Sequence, residues 1–157
     1  MRITVAAVLV GLANASSAQA PSSLDARAAQ AIVAGCVAQS VPKMQSHAIA
    51  VVDTGGHVIA ALRMDGDGSG IFDFALAKAE AAAAWGFSTA QMVEAAKGTP
   101  GFASAPHVVT VAGGVPVYSA DGKARIGAVG VSGEAPQDDA ACAESGVRAA
   151  GLQTSHS

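Results

Sequence analysis

Between Gly113 and Gly133 the chain reads GGVPVYSADGKARIGAVGVSG, and this stretch constrains the fold more than any other. It has the grammar of a β-hairpin. Val115, Val117 and Tyr118 lead into Ser119-Ala120-Asp121-Gly122, and Ile126, Val129 and Val131 follow. Asp-Gly is a strong turn signal, because both residues tolerate the left-handed backbone that a tight reversal needs. The second arm alternates, with Ile126, Ala128 and Gly130 on one face and Gly127, Val129 and Val131 on the other. So many small residues in a strand forgo side-chain packing. They imply that a backbone or a flat ligand comes close at Gly127, Ala128 and Gly130.

Further elements can be placed around this hairpin. Leu24, Ala28, Ile32 and Cys36 recur every four residues and mark a first helix, capped by Ser22 or Ser23 with Asp25 in its first turn. Pro42 ends that pattern. Residues 48–52 and 58–62 read as two strands joined by the turn Asp53-Thr54-Gly55-Gly56. A central helix covers 71–85, opened by Ser69 or Gly70 and closed by Gly86. Ser88 and Gln91 have capping-box spacing for a short helix to Lys97. Residues 108–112 form a further strand, and Pro136 opens a last helix with Asp138 and Asp139 in its first turn. The tail 153–157 reads as a frayed end. Hairpins with recurring helices imply an α+β domain built on an antiparallel sheet.

The first twenty residues have a different character. Arg2, the apolar run 3–12 and Ala18-Gln19-Ala20 form the pattern of a secretory signal peptide, cut after Ala18 or Ala20. The run is shorter than the ~20 apolar residues that span a bilayer. The expected mature form is therefore one domain, residues 21–157, in the periplasm or secreted. The net charge of −3 gives a nucleic-acid partner little support. Only 13% of residues are charged and the mean hydropathy is +0.40, which points to a homo-oligomer.

Three blocks carry a resemblance: AVVDTGGHVIAALRMDGDG (50–68), ALAKAEAAAAWGFST (75–89) and GGVPVY…DG…IGAVGVSG. In this order they resemble the GlcG/HbpS-like family, also called the haem-degrading or PduO C-terminal-like family. Glu80 and Ala81 depart from it, standing where the family usually carries an aromatic and a threonine. The resemblance implies a PAS- or profilin-like five-stranded antiparallel sheet flanked by helices, and a homo-oligomer. It also implies a haem-binding protein for sensing, storage or turnover, with the ligand between sheet and central helix. Two other classes stay open: a small-molecule enzyme using the same cleft without a defined cofactor, and an accessory subunit of a membrane oxidoreductase or sensor. Cys36 and Cys142 lie on the first and last helices, which such a fold can bring together; a disulfide and two separate buried thiols are both open.

Histidine and methionine are donors suited to haem iron. His47, His107 and Met44 sit just before strands, and His57 ends the GGH turn. Arg63 and Lys78 are the cations suited to haem propionates. Other motifs carry less. Asp53-Thr54-Gly55 imitates an aspartic-protease motif, but that chemistry needs two aspartates sharing a proton. Asp65, Asp67, Ser69, Gly70 and Asp73 imitate a calcium loop, yet Leu76 replaces its bidentate glutamate. No metal beyond haem iron is expected, and no feature ties a base to Ser132.

Overall fold

The computed structural model describes residues 23–157, so the leader and its cut site lie outside the described residues. The described chain contains helices α1 (Ala26–Ser40), α2 (Ser69–Trp85), α3 (Thr89–Gly98) and α4 (Pro136–Ala149). Its strands are β1 (Ala48–Val52), β2 (Val58–Arg63), β3 (Gly114–Tyr118) and β4 (Arg125–Ser132). The sheet is antiparallel, in the order β2-β1-β4-β3.

The alternation of β4 decides the layers. Val129 and Val131 join Ile49 and Val51 in a core beneath α1 and α4, with Ile32, Ala143 and Val147. Ala128 faces the other way, with Ala50 and Val52, against Ala79, Ala82 and Ala83 of α2. On the α1/α4 side, burial of Val- and Ile-sized side chains stabilises by about 1.5–3 kcal/mol each. The α2 side gains from close backbone approach instead. A Cβ on Gly130 would collide with the Ala75 carbonyl and the Ala79 amide, so glycine lets α2 settle directly on the sheet. A disulfide joins Cys36 of α1 to Cys142 of α4, with Cα atoms 4.5 Å apart.

Four details differ from the sequence expectation. The described sheet has four strands, not five. Residues 108–112 are rich in β-branched side chains but enter no ladder, because Gly113 alone separates them from β3, too short a link for a hairpin. Instead, the Gly114 amide is bound by Thr89 Oγ1 of α3 at 2.9 Å. Asp25, not a serine, caps α1, accepting from the Ala28 amide at 2.7 Å. α2 does begin at Ser69, one of the two residues expected to open it, and Gly68 before it supplies no side-chain cap. The tail is anchored: Gln153 bridges Tyr118, and the Ser157 amide donates to the Gly122 carbonyl. The Ser88–Gln91 capping box forms as expected.

Candidate functional site

The space between the sheet and α2, expected to be a cleft, is filled by alanines. Gly127, Ala128 and Gly130 are all buried. The neighbours of Gly127 are Val52 and Leu24, and those of Gly130 are Ala75 and Ala79. The flat object against these small residues is protein, so they form no ligand floor.

The histidines separate into two environments. His47 lies immediately before β1 and is completely buried. Its Nδ1 stands 3.2 Å from Asp139 Oδ1 in the first turn of α4. Asp139 Oδ1 also accepts from the Glu134 amide at 3.1 Å. Asp139 Oδ2 accepts from Lys78 Nζ at 2.9 Å, and Lys78 donates again to the Val131 carbonyl at 2.9 Å. The Lys78 ammonium lies 4.8 Å from the centroid of the Phe74 ring. One ammonium and one carboxylate thus neutralise each other inside the protein, tying α2, α4, β4 and the start of β1 together. The acid also sits at the N-terminal end of α4, where a negative charge is favoured.

Lys78 is neither on a solvated face nor free to meet a propionate, being 1% exposed. His47 has no route to a ligand at the surface. With Nδ1–H directed at Asp139, its Nε2 is buried and has no protein partner. Met44 is 95% exposed, in a left-handed turn (φ 56°) just before the buried His47.

The other two candidate ligands of this type, His57 and His107, line one groove, whereas His156 packs against Tyr118 in the tail. The β1–β2 turn, the second half of α2 and the loop before β3 enclose a groove of about 350 Å³. Its lining includes Thr54, Gly55, Gly56, His57, Glu80 and Ala84, and His107 completes it. Its volume is at the small end of ligand pockets. Asp53 organises the turn. Its Oδ1 accepts from the amides of Gly55 and His57 at 2.8 and 2.9 Å, and its carboxylate lies 3.2 Å from His57 Nδ1. The His57 amide, helped by the Gly55 amide and the His57 side chain, holds the Asp53 carboxyl below the usual aspartate range. A carboxylate on Nδ1 fixes the tautomer with the proton there and leaves Nε2 bare, the arrangement that orients a metal-binding imidazole.

His107 reaches the groove through an aromatic anchor. Trp85 Nε1 donates to the Pro106 carbonyl at 3.0 Å, and the Trp85 ring packs edge-on against Phe87 and Phe102. This holds the loop at the end of α2. His107 itself takes a positive φ of 57°, a conformation uncommon outside glycine and a marker of functional loops when the surroundings enforce it.

Arg63 lies apart, at the far end of β2. It donates to the Asp67 carbonyl and lines a second depression with Ala61, Ser69, Phe72 and Asp73. Asp67 of the calcium-like loop accepts from Ser46 Oγ. No cluster of three metal-binding side chains occurs among the described residues. No helix there is long and apolar enough to cross a membrane.

Sequence reasoning missed Asp53 as an orienting group and Asp139 as a buried partner. One signal was present: Lys78 shares the i, i+3, i+4 stripe of Ala75, Ala79 and Ala82, so it falls on the buried face of α2.

Fold and groove together define a small α+β domain with a histidine-lined surface site. The chain belongs to the HbpS-like family, described as haem-degrading protein HbpS-like, whose model matches residues 24–148. Solved structures agree. The chain is similar to a PduOC:heme complex with TM-score 0.77 at 23% identity, over 85% of this chain and 99% of that one, a likeness of fold. A double mutant of Streptomyces reticuli HbpS matches with TM-score 0.73 at 27% identity, over 91% and 97% of the two chains. Klebsiella pneumoniae ORFY matches with TM-score 0.75 at 26% identity, over 89% and 97%. A comparison with curated protein sequences found no significant match.

Proposed function

We propose that this protein binds haem at the His57/His107 groove, as an exported, homo-oligomeric protein of haem sensing, storage or turnover. The observation that carries this reading is the Asp53–His57 pair. An exposed imidazole whose Nδ1 is held by a carboxylate presents Nε2 as a ready axial donor. His107, on the same groove, is the second donor within reach of one flat ligand. Membership of the HbpS-like family and the fold shared with a PduOC:heme complex support the choice of ligand.

The chain's own residues do three things in this reading. Asp53 fixes the orientation and tautomer of the His57 ring. Trp85 and Pro106 fix the loop that carries His107. Gly55 and Gly56 keep the turn free of side chains beside the ring. Bound haem would supply the redox-active iron and the colour that reports on its ligands.

The test is a hemin titration of the purified mature protein. The expected result is a saturable Soret shift at one haem per chain. Non-saturable colour uptake, as exposed histidines give, would overturn the assignment.

A further inference from the structure

Apart from its two histidines, the groove has one ionisable wall residue, and it is an acid. Glu80 lines it from α2, one turn before Ala84. Its stem reaches the β1–β2 turn, where Glu80 Cγ lies 3.6 Å from the position a Cβ would take on Gly56. The helix wall and the turn wall therefore come together at this side chain, and its carboxylate stands where they meet. Glu80 is half-buried, and it has no ion-pair partner among the described residues.

No lysine or arginine answers it within the groove, because neither lines the walls. Lys78, two residues earlier, is about 200° round the helix. It is held there by Asp139 and the Val131 carbonyl. Arg63 stands at the other end of β2, roughly 20 Å of extended strand from His57. Asp53 adds a second carboxylate on the turn side, beside His57.

Haem presents two unlike edges to such a groove. One edge carries two carboxylates, and the opposite edge carries only vinyl and methyl groups. A ligand carboxylate brought within about 5 Å of Glu80 weakens binding on the order of 100-fold, at the effective dielectric near a protein surface. The vinyl edge has no charge to be repelled, and Ala84 and Gly56 offer it small, apolar neighbours.

We propose that Glu80 decides which edge of the haem enters the groove. The uncharged edge goes in between α2 and the turn, and the two carboxylates stay at the mouth, in water. Glu80 thereby selects for ligands with one apolar, uncharged edge. It acts by exclusion, as a repulsive element against the wrong orientation and the wrong ligand. This rests on the haem reading above and deepens it. His57 still supplies the donor nitrogen, and no cation of the chain is needed to orient the ring.

The test compares three iron porphyrins on the purified mature protein. They are hemin, hemin dimethyl ester and deuterohemin disulfonate, whose sulfonates replace the vinyl groups on the edge that should enter. Glu80→Gln and Glu80→Lys are titrated beside the wild type, with circular dichroism to confirm the fold. The wild type should bind hemin and its ester within about threefold of each other, since the carboxylates touch nothing. It should bind the disulfonate about 100-fold more weakly than hemin. Glu80→Gln should recover about tenfold of that loss, and Glu80→Lys should recover more. An ester about tenfold tighter than hemin would place the carboxylates against Glu80, and one about tenfold weaker would place them on a cation. Either result overturns the proposal. So does a disulfonate that binds the wild type as well as hemin does, or a disulfonate loss that neither substitution relieves. A wild type that never saturates with hemin defeats the haem reading itself. A saturable hemin site with the wrong ester or disulfonate ratio defeats only the role of Glu80.

Discussion

Two histidine–aspartate pairs in this molecule have the same closest distance, 3.2 Å, and opposite surroundings. His47 and Asp139 are 0% and 2% exposed, whereas His57 and Asp53 are 84% and 38% exposed. In the first pair the carboxylate also answers a buried lysine, so the imidazole is one strut in a structural network. In the second it answers two backbone amides, and the imidazole keeps its far nitrogen in solvent. Residue type and contact distance are shared; burial and the third partner separate scaffold from candidate site.

The comparison breaks most sharply at the buried acid. Asp139→Ala strands the Lys78 ammonium and His47 together, and removing one partner of a buried ion pair costs about 3–5 kcal/mol. Urea unfolding should show a loss of that size, and a loss within experimental error would mean that the network carries no stability.

Asp53→Ala should act locally and with pH. The folded carboxyl titrates below its ordinary value, so its contribution is complete above about pH 3.9 and disappears as pH falls through the lowered value. Hydrogen exchange at the Gly55 and His57 amides should be faster than wild type at neutral pH, with the difference shrinking in strong acid. A difference independent of pH would show that the carboxylate charge is not what holds the turn.

Much of the fold was legible because its signals are local. The Pro136 start of α4, the Ser88–Gln91 box and the Gly86 stop each depend on neighbours in sequence. The expected fifth strand failed because β propensity in residues 108–112 says nothing about whether an edge is available to pair. The candidate site was half legible. His57 and His107 were among the candidates, but so were His47 and Lys78, whose burial follows from long-range packing of α2 and α4 on β4. The glycines of β4 announced a close approach correctly, and only the assembled layers show that α2 and Leu24 make it.

The central claim is that the exposed pair binds and the buried pair holds. Its most direct test is hemin titration of His57→Ala beside His47→Ala, with thermal unfolding of both. The account predicts that His57→Ala changes the Soret band and weakens binding while leaving the melting temperature near wild type. It predicts that His47→Ala keeps the wild-type Soret band but loses about 1–3 kcal/mol, as expected when Asp139 is left short of a buried partner. A Soret band that follows His47 and ignores His57 would contradict it.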